Sequence, residues 1–183
     1  MKILFLHPNF PAQFRHLASV LGQDKQNTVV FATNRREGNI LGVNKVIYEK
    51  SRAVRPETHH YVRPLESAVL EAQGVYRVAQ KLRDQGFYPD VVYGHSGWGP
   101  TLFMKDIFPK TTLICYFEWF YNAYGSDASF APSDPIYADD EFIDLFNLTF
   151  LLITGYFHLM GCLCGHHIHR PSREVFVLMF LTM

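Results

Sequence analysis

Apolar residues in the first two thirds of the chain fall into short unbroken runs separated by stretches of helical period, an alternation that predicts an α/β fold. Ile3 to Leu6 is such a run, as expected of a strand covered on both faces in a parallel sheet. Pro11 suits a first helical turn, and Phe14, Leu17, Ala18 and Leu21 then repeat at helical spacing, with Gly22 as a stop signal. A second strand is predicted from Thr28 through Ala32 and a third at Val46 to Tyr48, completing a βαβ order. Residues 50 to 64 carry Arg52, Arg55, Arg63, two prolines and the pair His59 and His60 with neither period, and read as a polar loop. From Leu65 one stripe, continued by Ala68, Val69, Ala72, Tyr76, Ala79 and Leu82, predicts a long helix closed by Gly86 and Pro89. A strand over Asp90 to His95, a short helix over Leu102 to Phe108 and a fifth strand over Thr112 to Phe117 follow.

These elements predict a Rossmann-like open, mainly parallel sheet with helices on both faces. Beyond it the character changes. Tyr121 to Asp140 is rich in Ser, Asp, Ala and Pro and has no hydrophobic period, so it reads as a loop. Leu145 through Gly165 holds no charged residue, and Arg170, Arg173 and Glu174 are the remaining charges. The expected organisation is therefore a domain over residues 1–145 and an atypical apolar tail over 146–183.

The overall balance excludes several classes. With 17 basic and 17 acidic side chains, nothing draws the protein toward nucleic acid or an anionic surface. Cys115, Cys162 and Cys164 are too few for a disulfide framework, and Met1 and Lys2 lead straight into a strand rather than a signal peptide, so a cytoplasmic setting is expected. Leu145 to Cys164 is about long enough to cross a bilayer, but Asn147, Thr149, Thr154, Gly155, His158 and Gly161 dilute it. A buried helix or an extension suits it better than a span, and peripheral association with the inner membrane face through this tail stays open. Cys162, Cys164, His166, His167 and His169 are zinc-ligand types, but their spacing is too compressed for the usual tetrahedral site and no second cluster accompanies them. No metal and no cofactor is expected.

In open parallel sheets, ligands bind beyond the carboxyl ends of the strands. That rule nominates His7 and Asn9 after the first strand, Thr33 and Asn34 after the second, His95 to Gly99 after the fourth, and Glu118 and Trp119 after the fifth. Gly94 to Pro100 is the richest segment: Gly97 and Gly99 allow close approach to a ligand, Trp98 offers a flat apolar face, and His95 titrates near neutrality. The same residues also make an ordinary tight turn in which His95 bonds backbone. Glu118, among aromatic rings, could bind acceptor hydroxyls or anchor a neighbouring loop. The first loop lacks the glycine-rich fingerprint of dinucleotide binders, which weakens an NAD-dependent function.

Met1 to Phe14, Pro56 to Glu66, Asp90 to Gly99 and Tyr116 to Tyr121, taken in order, resemble the amino-terminal domain of bacterial family 4 glycosyltransferases, over roughly residues 1–145. The resemblance implies a GT-B architecture of two facing Rossmann-like domains, with a nucleotide-sugar donor held chiefly by the second, and transfer with retention and without a metal. It implies that His95 matches the histidine near the transferred sugar and that Gly97 and Gly99 match the adjoining loop. Family members continue into a second, donor-binding domain, whereas this chain continues into a tail unlike theirs. The expectation is a truncated or frameshifted copy, a hexosyltransferase half with weak or absent donor binding alone. In it, His95 stands near the reacting sugar, the Gly97 to Gly99 amides near acceptor or donor oxygens, Glu118 and Trp119 line the cleft for a sugar or glycan acceptor, and Asn9 and Trp98 join them in binding substrate. The alternative is a non-catalytic sugar-binding or interaction module that docks to a separate donor-binding chain.

Overall fold

The computed structural model describes residues 1–116 and the backbone of 117 and 175–179. In chain order these form β1 (Lys2–Leu6), α1 (Arg15–Gln23), β2 (Thr28–Thr33), β3 (Val43–Ile47), α2 (Arg63–Asp84), β4 (Val91–His95), α3 (Met104–Ile107), β5 (Thr112–Phe117) and β6 (Val175–Met179). Among the described residues the strands make one sheet in the order β3-β2-β1-β4-β5-β6, with every pair parallel. This is the Rossmann-like arrangement expected.

Strand alternation divides the core into two layers. Leu4, Leu6, Val30, Ala32 and Val92 meet Val75, Val78 and Ala79 of α2 and Met104 and Ile107 of α3. Ile3, Phe5, Val29 and Phe31 instead meet Phe14 and Ala18. Helices therefore cover both faces, as right-handed crossovers running in opposite directions across a sheet require. Both faces of β1 are buried, which explains its unbroken apolar run. The α1 layer is aromatic: Phe5 stacks on Phe31 at 5.7 Å, and Phe14 lies 4.7 Å from Tyr93.

Several boundaries differ from the sequence reading, each for a physical reason. Pro11 precedes a 3₁₀ turn at Ala12–Phe14, and α1 starts only at Arg15, so Ala18 rather than Leu17 centres its buried face. Leu17 is left 44 % exposed. α1 runs one residue past Gly22 to Gln23, and the bare backbone of Gly22 packs against Gly42 in the lead-in to β3. β3 begins three residues before Val46, and Tyr48 lies just beyond the strand, buried against α2. The loop after it closes in a 3₁₀ turn at His60–Val62, and α2 begins at Arg63. The short helix expected from Leu102 shrinks to Met104–Ile107. No strand was expected after Phe117, yet Val175–Met179 pairs with β5. The 121–140 loop, the 145–164 stretch and the Cys/His cluster lie outside the described residues. No described helix is long and apolar enough to cross a membrane.

Candidate functional site

β1 lies between β2 and β4, so the chain leaves its two flanks in opposite directions and opens a crevice at the carboxyl ends of β1 and β4. Parallel register pairs Leu6 with Gly94, which brings the next residues, His7 and His95, side by side. Their rings meet edge to face, with centroids 5.0 Å apart at 78°, and each residue is 3 % exposed. The two use the same local bond. The backbone N–H of Asn9 donates to His7 Nδ1 at 2.9 Å, and that of Gly97 donates to His95 Nδ1 at 3.1 Å. An imidazole that accepts at Nδ1 carries its proton on Nε2 when neutral. His95 also packs 5.6 Å from Tyr116 near the end of β5 and stacks on Trp98 at 6.4 Å. Thus it stands beside the ends of the first, fourth and fifth strands.

A cleft of about 300 Å³ opens beside this pair. Asn9, Asn34, Gly97 and Trp98 form its strand-end side, and Lys50, Ser67 and Glu71 form much of the side toward α2. His95 is not on its lining; it stands behind the wall made by Gly97 and Trp98. Trp98 is 54 % exposed and, with Pro8, Pro64 and Ala68, gives the cleft apolar surface beside its polar groups.

The α2 side is organised by Glu71, a carboxylate only 2 % exposed. Tyr48 Oη donates to its Oε1 at 2.6 Å and Asn34 Nδ2 to the same oxygen at 3.2 Å. Lys50 Nζ lies 3.1 Å from Oε2 and donates to Ser67 Oγ at 3.0 Å. Burying a carboxylate is costly unless charge and hydrogen bonds replace water, and here the segments following β2 and β3 supply all three donors. Lys50 and Glu71 cancel in charge, so the cleft offers donors and acceptors without a net field. Such a lining suits hydroxyl groups more than phosphates.

Burial first, and the Glu71 carboxylate second, push the Tyr48 phenol far above its ordinary value of 10.0. A phenol whose folded pKa is raised stabilises the fold fully below the unfolded value, and that contribution is lost as pH rises above it. Raising the pH above about 10 is therefore expected to lower the urea midpoint of the wild type. Tyr48→Phe should show a visibly smaller alkaline fall, and equal slopes for the two proteins would refute the assignment. Burial likewise raises the Cys115 thiol, against the smaller opposing effect of hydrogen bonds with Ser96 and Thr101. It is a packing residue of β5 and not a nucleophile.

Of the residues nominated from sequence, Asn9, Gly97 and Trp98 share the cleft lining, and Asn34 joins them. Gly99 sits under Ala68 of α2. Thr33 is structural: its hydroxyl donates to the Pro8 carbonyl at 2.7 Å. Glu118 and Trp119 lie outside the described residues. Sequence reasoning missed Lys50, Ser67 and Glu71. Lys50 follows β3 closely and was reachable by the strand-end rule. Glu71 was visible as a carboxylate in line with the buried positions Val75 and Val78. Among the described residues, no group of three or more His, Cys, Asp or Glu is placed to hold a metal ion.

A family model described as the glycosyl transferase family 4 group matches residues 25–155, more than two thirds of the chain. The chain belongs to this family. The match covers β2 through β5 and with them most of the cleft, including Asn34, Lys50, Glu71 and Trp98. Among solved structures, the family 4 chain is similar to Phytolacca americana UGT2, solved in complex with UDP-2-fluoro-glucose and pterostilbene. There the identity is 11 % and the TM-score 0.39, over 63 % of this chain and 30 % of that one. The family 4 chain thus spans less than a third of that protein's length. No curated protein matches it.

Proposed function

We propose that this chain supplies the acceptor-side face of a glycosyltransferase that moves a hexosyl group from a nucleotide sugar to a sugar or glycan hydroxyl. In that reaction the bond between the anomeric carbon and the nucleotide phosphate oxygen breaks. A bond to the acceptor oxygen forms, and the acceptor gives up its proton. What carries the proposal is the coincidence of a family 4 match with a charge-balanced cleft at the topological switch point, rimmed by an exposed indole. Trp98 supplies the flat apolar surface on which a sugar ring stacks, while Asn9, Asn34, Lys50 and Ser67 supply hydroxyl partners. His95, held at Nδ1 by the Gly97 N–H behind the wall made by Gly97 and Trp98, is assigned to the transferred sugar. Gly97 and Gly99 shape the intervening loop, and Glu118 and Trp119 are assigned to acceptor binding.

The proposed division is an acceptor-side domain over 1–145 followed by a distinct segment over 146–183, with the donor held by a second domain. On this division the chain alone binds acceptor and releases nucleotide from the donor only weakly. A sugar-binding module docking to a separate donor-binding chain makes the same cleft and differs only in releasing no nucleotide.

The test uses the full chain with a panel of simple methyl glycosides and nucleotide sugars. A glycoside at ten times its Kd should stabilise the fold by about 1.4 kcal/mol, seen as a rise in Tm, and Trp98→Ala should abolish the rise. Nucleotide release on adding donor then separates transfer from binding alone. If no glycoside raises the Tm and no nucleotide is released, the cleft is not a sugar site.

A further inference from the structure

We infer that His7 is a positioning residue for His95, a role that rests on the proposed part of His95 in sugar transfer. His7 and His95 extend adjacent parallel strands by one residue past the Leu6–Gly94 pair, so the backbone register itself sets their rings together. Their edge-to-face contact at 5.0 Å is shorter than those that His95 makes with Tyr116 at 5.6 Å and Trp98 at 6.4 Å. Behind it, His7 is fixed on two sides. Its Nδ1 accepts from the Asn9 N–H, and its ring stands edge to face against Phe14 at 5.7 Å. Phe14 in turn belongs to the aromatic layer with Phe5, Phe31 and Tyr93. Order is thus passed from the α1 core through His7 to the ring whose orientation decides whether Nδ1 faces the Gly97 N–H.

That orientation has a chemical consequence. The Gly97 N–H selects the Nε2–H tautomer of His95 only while the ring is held with Nδ1 toward it. A half-turn about the bond to the ring would put Cδ2 in the place of Nδ1 and lose the bond that selects the tautomer. Of the rings around His95, Trp98 is 54 % exposed and sits on the loop it shares with Gly97, so it is a poor brake on that turn. His7, 3 % exposed and packed on Phe14, is a good one. The titratable groups packed nearby are Tyr93, Tyr116 and Cys115. Burial raises Tyr93, helped by the neighbouring Tyr116, so that phenol is protonated at neutral pH.

The experiment is a long-range ¹H–¹⁵N correlation of the histidine rings in the full ¹⁵N-labelled chain near pH 8, where the two tautomers of a neutral imidazole give distinct patterns. In the wild type His95 should show the Nε2–H pattern. His7→Ala should shift the tautomer ratio toward Nδ1–H by about fivefold, the size expected for loss of one edge-to-face ring pair. His7→Phe, which keeps a ring and discards both nitrogens, should restore the wild-type pattern. A merely structural histidine would lower Tm in both variants and leave the His95 pattern alone. A folded His7→Ala with the wild-type tautomer ratio overturns the inference, as does a His7→Phe that folds and fails to restore it. Should His7→Ala not fold, His7→Phe and His7→Leu replace it as the ring-keeping and ring-removing pair. Failure of the sugar-transfer function is separate: it shows as unchanged glycoside binding and nucleotide release in His95→Ala, whatever residue 7 does to the tautomer.

Discussion

Glu71→Ala is expected to lower the unfolding free energy by about 3 kcal/mol, the low end of what breaking a buried ion pair costs. The low end applies because Lys50 is 37 % exposed at its side chain and can turn to water once its partner is gone. Tyr48 cannot. Its side chain is essentially fully buried and its hydroxyl donates to Glu71 at 2.6 Å, so removing the carboxylate strands a buried donor, itself worth about 1–3 kcal/mol. Asn34 loses its acceptor at the same time. For a domain with about 5–15 kcal/mol in total, this is a large fraction.

The same logic fixes the control. Tyr48→Phe removes the stranded hydroxyl, so the double variant Tyr48→Phe, Glu71→Ala should be more stable than the sum of the single losses implies, by about 1 kcal/mol or more. Urea midpoints of the wild type, both singles and the double measure it, with m-values checked for constancy. Strict additivity would mean that Glu71 is held by something other than Tyr48. The consequence reaches the cleft, because Glu71 ties the segments after β2 and β3 to α2. Glu71→Ala should weaken glycoside binding even at temperatures where the fold persists.

Much of this architecture was legible because parallel strands buried on both faces advertise themselves. Ile3 to Leu6 and Val29 to Ala32 have no polar interruption, and both are central in the sheet. β3 was harder: at the sheet edge its residues are only half-buried, so Asn44 and Lys45 broke the apolar run and hid its start. The strand-end rule found His7, Asn9, Asn34 and the Gly97 to Gly99 loop because it needs only strand limits and topology. It did not find the far wall of the cleft, since that wall comes from a helix face. Helix periodicity counts apolar residues, and Glu71 was passed over although it occupies a buried position of α2. What makes it buried is a set of partners from Asn34, Tyr48 and Lys50, between 21 and 37 residues away, whose convergence no local pattern encodes.

Gly99→Ala tests how closely the site loop must approach α2, and Gly86→Ala supplies its reference. Both glycines have left-handed backbone, with φ of 93° and 83°. A Cβ at Gly86 would meet nothing within 4 Å, so its substitution costs only conformational strain, about 1 kcal/mol. A Cβ at Gly99 would lie 2.3 Å from the Ala68 carbonyl oxygen and 2.8 Å from its carbonyl carbon. Those are backbone atoms inside α2, and no side-chain rotation relieves the overlap. The loop and helix must separate, breaking the turn in which the Gly99 N–H donates to the Ser96 carbonyl at 3.3 Å. Gly99→Ala should therefore cost about 3 kcal/mol or more, well beyond Gly86→Ala. Because Ala68, Gly97 and Trp98 all line the cleft, the separation also pulls its two walls apart. The Gly99 variant, compared below its own Tm, should lose glycoside stabilisation that the Gly86 variant retains. Equal urea midpoints for the two variants would show that the loop does not need its close seat on α2.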